Sequence, residues 1–407
     1  MALVGVEKEL HFAPAKRYKT NIVKMFCKQG FRVWYTFLMN TSELETTARA
    51  LVADGKGILA ADESTASANK RFAAVGVEQT EENRRTYREI LMTTPEAKNA
   101  FSGVIFYDET FWQNTSDGHS TWASTGLSRV SSGQGKPLRT YCAENGIIPG
   151  IKLDEGFVDL PGFPGEKISK GLDTLPERAL KYRDAGAKFA KWRSVIAIDH
   201  VEGGANIPTE ECVNANAFVL ARYARICQEA DLVPIVEPEV LFDGKHTAKE
   251  CEEALSRVLS QLFVAMRAYR VHLSGAILKT SMVLPGKDSD IAIDALDVSE
   301  RTVRVLREYV PEELGGVVFL SGGQTPQDAF RNLDAIVKKG PHPWGVTFSY
   351  SRALQDPVLK HWAAHREDSV GAKKIFARQL AFAVAAREGK LPPNTTAESF
   401  VSASQDV

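Results

Sequence analysis

Eight short apolar runs, each followed by a stretch of helical pattern, constrain the fold of this chain more than any other feature. Each run has the length of a β-strand and turn-forming residues close by. The eight predicted strands are Gly57–Ser64, Gly103–Asp108, Ile147–Asp154, Phe189–Ile196, Val233–Glu239, Ala276–Met282, Val317–Gly322 and Val346–Tyr350. This alternation predicts an α/β fold, a single-domain (β/α)8 TIM barrel. A doubly wound sheet is disfavoured, because no glycine-rich nucleotide loop follows the first strand.

Local signals mark the boundaries of several helices. Thr247 followed by Glu250 predicts a capping box at the start of a helix that includes residues 254–269. Thr325 before a proline predicts the start of another helix. The final helix should cover residues 370–388 and stop at Gly389.

Lys279 ends the sixth predicted strand, at the close of an apolar run. A buried ammonium group either finds anions or becomes neutral. A neutral lysine amine is a nucleophile, and its common use is a Schiff base with a carbonyl carbon. The alternative is a lysine at the wet end of a strand, with its stem packed and its charge in water.

Polar residues stand at the ends of the other strands as well. Barrel active sites use these carboxyl-terminal ends, and residues i and i+2 of a strand share a face. The pairs that share a face are Asp62 and Ser64, Lys152 and Asp154, Lys191 and Arg193, Glu237 and Glu239, and Lys279 and Ser281. One such pair alone would indicate a structural ion pair or a solvated rim. All of them at the same end of the barrel indicate one pocket.

This set of residues predicts a definite chemistry. Neighbouring cations favour the neutral, nucleophilic form of the Lys279 amine, and the carboxylates supply acid–base steps. After the seventh strand the sequence Ser-Gly-Gly at 321–323 is typical of a phosphate site, to which Arg352 adds a charge. A second basic loop follows the first strand and contains Ser64, Ser67, Lys70 and Arg71. Two anion sites on either side of a nucleophilic lysine imply a bisphosphorylated substrate with a carbonyl group.

Composition excludes several other classes of function. The chain has 407 residues, a net charge of −1 and 44% hydrophobic residues, which is ordinary globular composition without the basic excess of a nucleic-acid binder. The five scattered cysteines predict reduced thiols, and the eight histidines show no HxH or HExxH spacing. No apolar stretch is long enough to span a bilayer. We therefore expect no metal, nucleic acid or membrane among the partners.

Three segments stand outside the barrel pattern. Residues 1–42 are basic and predict a flexible N-terminal arm, with a transit peptide as the alternative. Residues 43–390 are the predicted barrel, and a Ser/Thr/Gly-rich loop at about 119–135 is inserted in it. Residues 391–407 predict a flexible C-terminal tail.

Several stretches of the chain match one known family. They are Leu59-Ala60-Ala61-Asp62-Glu63-Ser64-Thr65, Thr80-Glu81-Glu82-Asn83-Arg84-Arg85, Phe189-Ala190-Lys191-Trp192-Arg193, Val233-Pro234-Ile235-Val236-Glu237-Pro238-Glu239, Phe319-Leu320-Ser321-Gly322-Gly323 and Thr347-Phe348-Ser349-Tyr350. From about Glu43 to Gly389 the chain closely resembles the class I, Schiff-base fructose-bisphosphate aldolases.

The resemblance implies a role for each matched residue. Lys279 corresponds to the Schiff-base lysine, Glu237 to the acid–base of carbinolamine dehydration, and Asp62 to the base that takes the C4-hydroxyl proton. The polar partners of these groups are Lys152, Lys191 and Glu239. The matched substrate-binding residues are Ser321, Gly322, Gly323, Ser349 and Arg352 for the C1-phosphate, Ser64, Ser67 and Arg71 near the C6-phosphate, and Arg193 beside them in the pocket.

The resemblance also implies an activity. We expect a carbon–carbon lyase that reversibly cleaves fructose 1,6-bisphosphate to dihydroxyacetone phosphate and glyceraldehyde 3-phosphate, in glycolysis and gluconeogenesis. It should act as a cytoplasmic homotetramer without a metal or other cofactor, or in an organelle if the arm is a transit peptide. A non-catalytic scaffold on the same barrel is the competing hypothesis. It would be expected to have lost Lys279, Glu237 or Asp62, and all three are present. The sequence does not decide whether the protein prefers fructose 1,6-bisphosphate over fructose 1-phosphate.

A few positions depart from the family pattern. Thr280 and Ser281 stand where the family usually has Pro-Asn or Pro-Ser, and Ala66 and Ser351 replace glycines. Thr280 and Ser281 are expected to change the exit of the strand but not its nucleophile. Ala66 and Ser351 are small replacements and predict somewhat weaker phosphate contacts at most. The family's C-terminal tyrosine has no counterpart in Asp406-Val407, which predicts slow protonation of the enamine left after cleavage.

Overall fold

A computed structural model of the protein describes residues 25–27, 31–33, 40–116, 135–200 and 206–393. The chain divides into two units, Met1–Met39 and Asn40–Val407. In the first unit, Met25–Cys27 pairs antiparallel with Phe31–Val33. The predicted arm, the inserted loop and the tail lie almost entirely outside the described residues, so these three assignments stay predictions.

The second unit contains a closed barrel of eight parallel strands. In chain order, β1 to β8 are Gly57–Ala61, Phe101–Phe106, Ile148–Lys152, Phe189–Ile196, Val233–Val240, Ile277–Thr280, Gly316–Phe319 and Val346–Tyr350. Each strand pairs with its neighbours in sequence, and β8 pairs with β1 to close the ring. The prediction of a (β/α)8 TIM barrel is confirmed.

Helices surround this barrel. In chain order, α1 to α13 are Thr41–Leu51, Thr65–Ala74, Glu81–Met92, Ala97–Ala100, Asp108–Trp112, Leu138–Glu144, Leu175–Asp184, Glu210–Glu229, Ala248–Ala268, Ala295–Tyr309, Pro326–Lys338, Arg352–Ala364 and Ser369–Arg387. A 3-10 turn, Leu273–Gly275, precedes β6. The predicted capping box of α9 is present, with Thr247 and Glu250 each accepting the other's backbone N–H. Thr325 caps α11, and Gly389 follows α13 with φ +68°.

Some strands are shorter than the sequence predicted. The first strand ends at Ala61 because Ser64 already caps α2, accepting a hydrogen bond from the Ser67 N–H at 3.3 Å. Asp62 and Ser64 therefore belong to the loop after β1 and not to the strand itself. A two-stranded hairpin, Phe157–Asp159 with Lys167–Ser169, lies between β3 and α7 and was not predicted.

The interior of the barrel changes from apolar to polar along each strand. At the amino-terminal end, Ile58, Ile235 and Ile277 pack with side chains of α1 in one apolar cluster. Glu237 lies two residues after Ile235 on β5, and Lys279 lies two residues after Ile277 on β6, so each shares a strand face with that isoleucine. Because side chains alternate across a strand, the apolar residues that close the barrel floor also aim these charged residues into its mouth.

Candidate active site

Lys279, Glu237 and Lys191 form a continuous chain of ion pairs in the barrel mouth with Asp62. The Lys279 Nζ lies 3.0 Å from Glu237 Oε1 on the adjacent strand β5. On the other side of that carboxylate, Lys191 Nζ lies 2.9 Å from Oε2, an ionic contact that lacks the angles of a hydrogen bond. Lys191 Nζ also lies 2.7 Å from Asp62 Oδ2, which follows β1 across the barrel. All four residues are buried.

Asp154 extends this chain toward β3. Its Oδ1 lies 2.7 Å from Lys152 Nζ, and its Oδ2 lies 3.8 Å from Lys191 Nζ. The side chain of Asp154 is only 1% exposed. The sequence indicated that Lys152 and Asp154 share a strand face, but Asp154 was not among the predicted site residues. The structure makes it the carboxylate that holds two of the predicted lysines together.

Arg193 and Glu239 form a second ion pair beside the first chain. Arg193 Nε lies 2.5 Å from Glu239 Oε2, and the Arg193 N–H donates to Asp154 Oδ2 at 3.2 Å. The residue pair therefore joins the middle of β4 to the end of β5. Burial by itself lowers the pKa of Arg193, but Glu239 outweighs burial and the net pKa is raised.

The buried charges in the first chain determine the ionisation of its carboxylates. Burial by itself raises the pKa of Asp62, but the charges of Lys191 and Lys279 outweigh burial and hold the pKa well below its usual range. Burial and the same two cations act on Glu237, whose pKa is also lowered. Burial opposes the charge of Lys191, yet Asp62 and Glu237 raise its pKa. Both carboxylates are therefore proton acceptors at neutral pH.

The predicted C1-phosphate residues lie together at the ends of β7 and β8. Gly322 and Gly323 have positive φ values of +60° and +100°, which turn the backbone sharply after Ser321. A Cβ at Gly323 would lie 3.1 Å from Arg352 Nη2, so the guanidinium group lies over this glycine. Ser349 is buried, and its Oγ has no hydrogen-bond partner among the described residues. The arrangement can bind an anion through a turn of backbone N–H groups, a hydroxyl group and a positive charge.

The predicted C6-phosphate residues have partners of their own. Ser64 Oγ lies 3.1 Å from Ser67 Oγ at the start of α2. Arg71 forms ion pairs with Glu63 at 2.5 Å and with Asp356 at 2.7 Å. Neither carboxylate was predicted as a partner. Because Arg71 already balances two carboxylates, a phosphate would have to compete with them, and the role of Arg71 in substrate binding stays a prediction.

Within the described part of the chain, no group of three His, Cys, Asp or Glu residues is placed to hold a metal ion. No helix among the described residues is long and apolar enough to cross a membrane.

Comparisons with known proteins give consistent results. Residues 43–405 match the family model described as fructose-bisphosphate aldolase class-I. The chain is 46% identical over 325 residues to a probable fructose-bisphosphate aldolase class 1 of Xanthomonas campestris pv. campestris, which covers 80% of this chain and 91% of that protein. It is 42% identical over 364 residues to fructose-bisphosphate aldolase 4, cytosolic, of Arabidopsis thaliana, covering 89% of this chain and 87% of that one.

A solved structure shows the same fold. It is a ternary co-crystal structure of fructose-bisphosphate aldolase from Plasmodium falciparum in complex with TRAP and a small molecule inhibitor. The TM-score is 0.80 at 40% sequence identity, and the match covers 93% of this chain and 100% of that chain.

Proposed function

The chain belongs to the class I fructose-bisphosphate aldolase family and is a carbon–carbon lyase, and from this premise we propose how its residues divide the reaction. Lys279 forms a Schiff base with the C2 ketone of fructose 1,6-bisphosphate. Cleavage of the C3–C4 bond then gives glyceraldehyde 3-phosphate and dihydroxyacetone phosphate. The observation that carries the assignment is the 3.0 Å contact between Lys279 Nζ and the Glu237 carboxylate in a buried site.

Glu237 moves the protons of imine formation. The Lys279 amine attacks the C2 carbonyl carbon, and the resulting carbinolamine must lose its hydroxyl group as water. At 3.0 Å, Glu237 is close enough to accept a proton from the lysine nitrogen and to return it to the departing hydroxyl. Lys191, on the other oxygen of Glu237, favours the ionised carboxylate between these transfers.

Asp62 begins the carbon–carbon cleavage. Its carboxylate removes the proton of the C4 hydroxyl, the C4–O bond becomes a carbonyl, and the C3–C4 electron pair moves toward the iminium nitrogen. The aldehyde leaves and an enamine stays on Lys279. The ion pair with Lys191 at 2.7 Å keeps Asp62 ionised in the barrel wall opposite Glu237. Lys152, Arg193 and Glu239 hold this charge arrangement through their own ion pairs.

The substrate is held at its phosphate groups. The turn formed by Ser321, Gly322 and Gly323 supplies backbone N–H groups for the C1-phosphate, and Ser349 and Arg352 supply a hydroxyl and a positive charge. For the C6-phosphate we propose Ser64, Ser67 and Arg71, with Arg71 exchanging part of its contact with Glu63 or Asp356 for the phosphate.

The assembly and location are also proposals. We infer a homotetramer working in the cytoplasm, which is supported by family membership and by the Arabidopsis relative named cytosolic. An organellar location is the alternative if residues 1–42 are a transit peptide. Light scattering on purified protein tests the first statement, and a fluorescent fusion of the full chain tests the second.

A cleavage assay tests the function. The purified protein should cleave fructose 1,6-bisphosphate with and without a chelator, because a lysine Schiff base replaces the metal of other aldolases. The rate of cleavage of fructose 1-phosphate, measured in parallel, shows how much the C6-phosphate site contributes to activity. Lys279→Met serves as the blank. Activity that a chelator removes, or that survives in Lys279→Met, would contradict the proposed mechanism.

A further inference from the structure

A small buried cavity lies beneath the turn that follows β7. Its volume is about 10 Å3, close to the lower limit for one water molecule. His246, Ser281 and Gln324 line it, and Gly322 lies in its wall. The cavity therefore separates the predicted phosphate turn from the loop after β5 and from the end of β6.

Two polar side chains of this cavity have no hydrogen-bond partner. His246 is 4% exposed, and neither of its ring nitrogens makes a hydrogen bond among the described residues. Ser281 is 5% exposed, and its Oγ is likewise without a partner there. Polar groups buried in this way are costly, and in proteins they are usually satisfied by another protein group or by an internal water. Unpaired polar side chains on two sides of one cavity point to a bound water.

The protonation of His246 fits this role. Burial lowers the pKa of His246, against the opposing effects of Glu250 and of a polar contact with the Leu284 backbone that does not meet the full hydrogen-bond criteria. A neutral imidazole has one donor and one acceptor nitrogen. A water molecule can bond to such a ring and to a serine hydroxyl at the same time, which leaves no charge in the cavity.

The surrounding backbone places His246 firmly. The Gly286 N–H donates to the His246 carbonyl at 2.7 Å, and the Lys287 N–H donates to the Phe242 carbonyl at 2.8 Å. A Cβ at Gly286 would lie 2.2 Å from the Gly244 carbonyl oxygen, so only glycine permits this approach. These bonds tie the loop after β5 to the loop after β6.

The phosphate turn rests on the same cavity. Gln324 donates to the Ser321 carbonyl from its backbone N–H at 2.9 Å and from its side-chain amide at 3.1 Å. Its own carbonyl oxygen accepts from Asn332 at 2.7 Å. Gln324 therefore fixes one side of the turn, while the side at Gly322 meets the cavity.

We propose that His246 and Ser281 hold one water molecule in this cavity, and that this unit positions the phosphate turn relative to the end of β6, two residues after Lys279. The inference rests on the proposed function, because it concerns the phosphate site of the same reaction. His246 is a positioning residue, since it acts on the substrate only through the turn at Ser321–Gly323.

Variants that separate polarity from volume test the proposal. His246→Phe removes both nitrogens and keeps a ring, and Ser281→Ala removes the hydroxyl from the other side. We expect each to raise the KM for fructose 1,6-bisphosphate and the inhibition constant of inorganic phosphate about tenfold, the effect of one lost hydrogen bond. The kcat should stay within about threefold, because the reacting groups are untouched.

Two further variants complete the test. His246→Gln restores a donor and an acceptor and should recover most of the affinity. The double variant His246→Phe/Ser281→Ala should lose no more than either single variant, because both act through one water. If His246→Phe does not fold, Ser281→Ala, which removes one oxygen atom, carries the comparison.

The outcomes distinguish this inference from the function itself. Unchanged constants in Ser281→Ala, or equal losses in the Gln and Phe variants, would overturn the role of His246. In that case the unmodified protein still forms a borohydride-reducible adduct with dihydroxyacetone phosphate. If the unmodified protein forms no such adduct, the proposed function fails instead.

Discussion

Lys191 is the residue on which the charge balance of the site depends. It is 2% exposed and lies within 4 Å of three carboxylates, those of Asp62, Glu237 and Asp154. Burying so many charges is tolerable only because each carboxylate has an ammonium partner at short range. The same balance keeps Asp62 and Glu237 ionised, which is the state in which they accept protons from the substrate.

Replacing Lys191 by Met should therefore destabilise the protein in a pH-dependent way. The folded-state pKa values of Asp62 and Glu237 lie below their unfolded values, so these carboxylates contribute stability at neutral pH and lose it as pH falls through and below about 4. Lys191→Met should cost about 3–5 kcal/mol at pH 7, and the difference from the unmodified protein should narrow toward pH 4.

Urea unfolding at several pH values measures this difference. Lys188→Met is a matched control, because Lys188, one residue before β4, forms an exposed ion pair with Glu43. Its effect should be small and nearly independent of pH. A pH-independent loss in Lys191→Met would show that packing, not charge, explains the contribution of Lys191.

Among the elements, β3 and β4 depend on an unusually close approach. Phe189 fills the interior at the start of β4, next to Gly150 on β3, its partner in the strand register. A Cβ at Gly150 would lie 2.3 Å from the Phe189 ring, and one at Gly103 on β2 would lie 3.0 Å from it. Two glycines thus make room for one aromatic ring directly below Lys152 and Lys191.

We expect Gly150→Ala to destabilise the barrel by about 1–3 kcal/mol through overpacking. Phe189→Leu alone should also destabilise it, because it leaves unfilled space. The double variant should cost clearly less than the sum, since the smaller side chain accommodates the new methyl group. Thermal unfolding of the three variants measures this coupling. Simple additivity would mean that the Phe189 ring is not what Gly150 accommodates.

Elements whose signals are local could be predicted from the sequence. All eight barrel strands and the caps at Thr247 and Thr325 depend on residues within a few positions of each other, and the structure confirms them. The hairpin beginning at Phe157 was missed because its strands have three residues each, too few to show a period of two. A strand that short is identified by its partner, which a local pattern does not specify.

The partners of charged residues could be predicted only in part. The polar residues at the strand ends do meet in one mouth, because parallel strands of a barrel end on the same side. Which carboxylate pairs with which cation depends on distances across the barrel. The bridging position of Asp154 and the pairing of Arg71 with Asp356, 285 residues away, are consequences of such distances. The lack of a hydrogen-bond partner for His246 likewise could not be predicted, because its cavity is lined by residues from several separate loops.

At the scale of the whole molecule, the barrel closes without residues 117–134. The chain on either side of this segment is joined by hydrogen bonds: the Thr115 N–H donates to the Lys136 carbonyl at 2.8 Å, and the Lys136 N–H donates to Thr115 Oγ1 at 3.1 Å. Asn114 and Pro137 form an antiparallel bridge next to them. The two ends of the segment therefore lie side by side.

We predict that residues 117–134 can be replaced by a short Gly-Ser linker. The melting temperature should change by only a few degrees, because loop closure costs little when the ends are already adjacent. Cleavage of fructose 1,6-bisphosphate should stay near that of the full chain. Gly135 must be kept, since a Cβ there would meet the Thr115 carbonyl oxygen at 1.7 Å. A large loss of activity with an intact melting temperature would show that the segment acts on the site.

Lys279 is the proposed nucleophile, and peptide mapping of a trapped intermediate tests this assignment directly. Borohydride added together with dihydroxyacetone phosphate reduces the imine to a stable secondary amine on the lysine that formed it. We expect loss of activity, with the adduct on the peptide that contains Lys279 and no adduct in Lys279→Met. An adduct on Lys152, Lys191 or any other lysine, with Lys279 unlabelled, would contradict it.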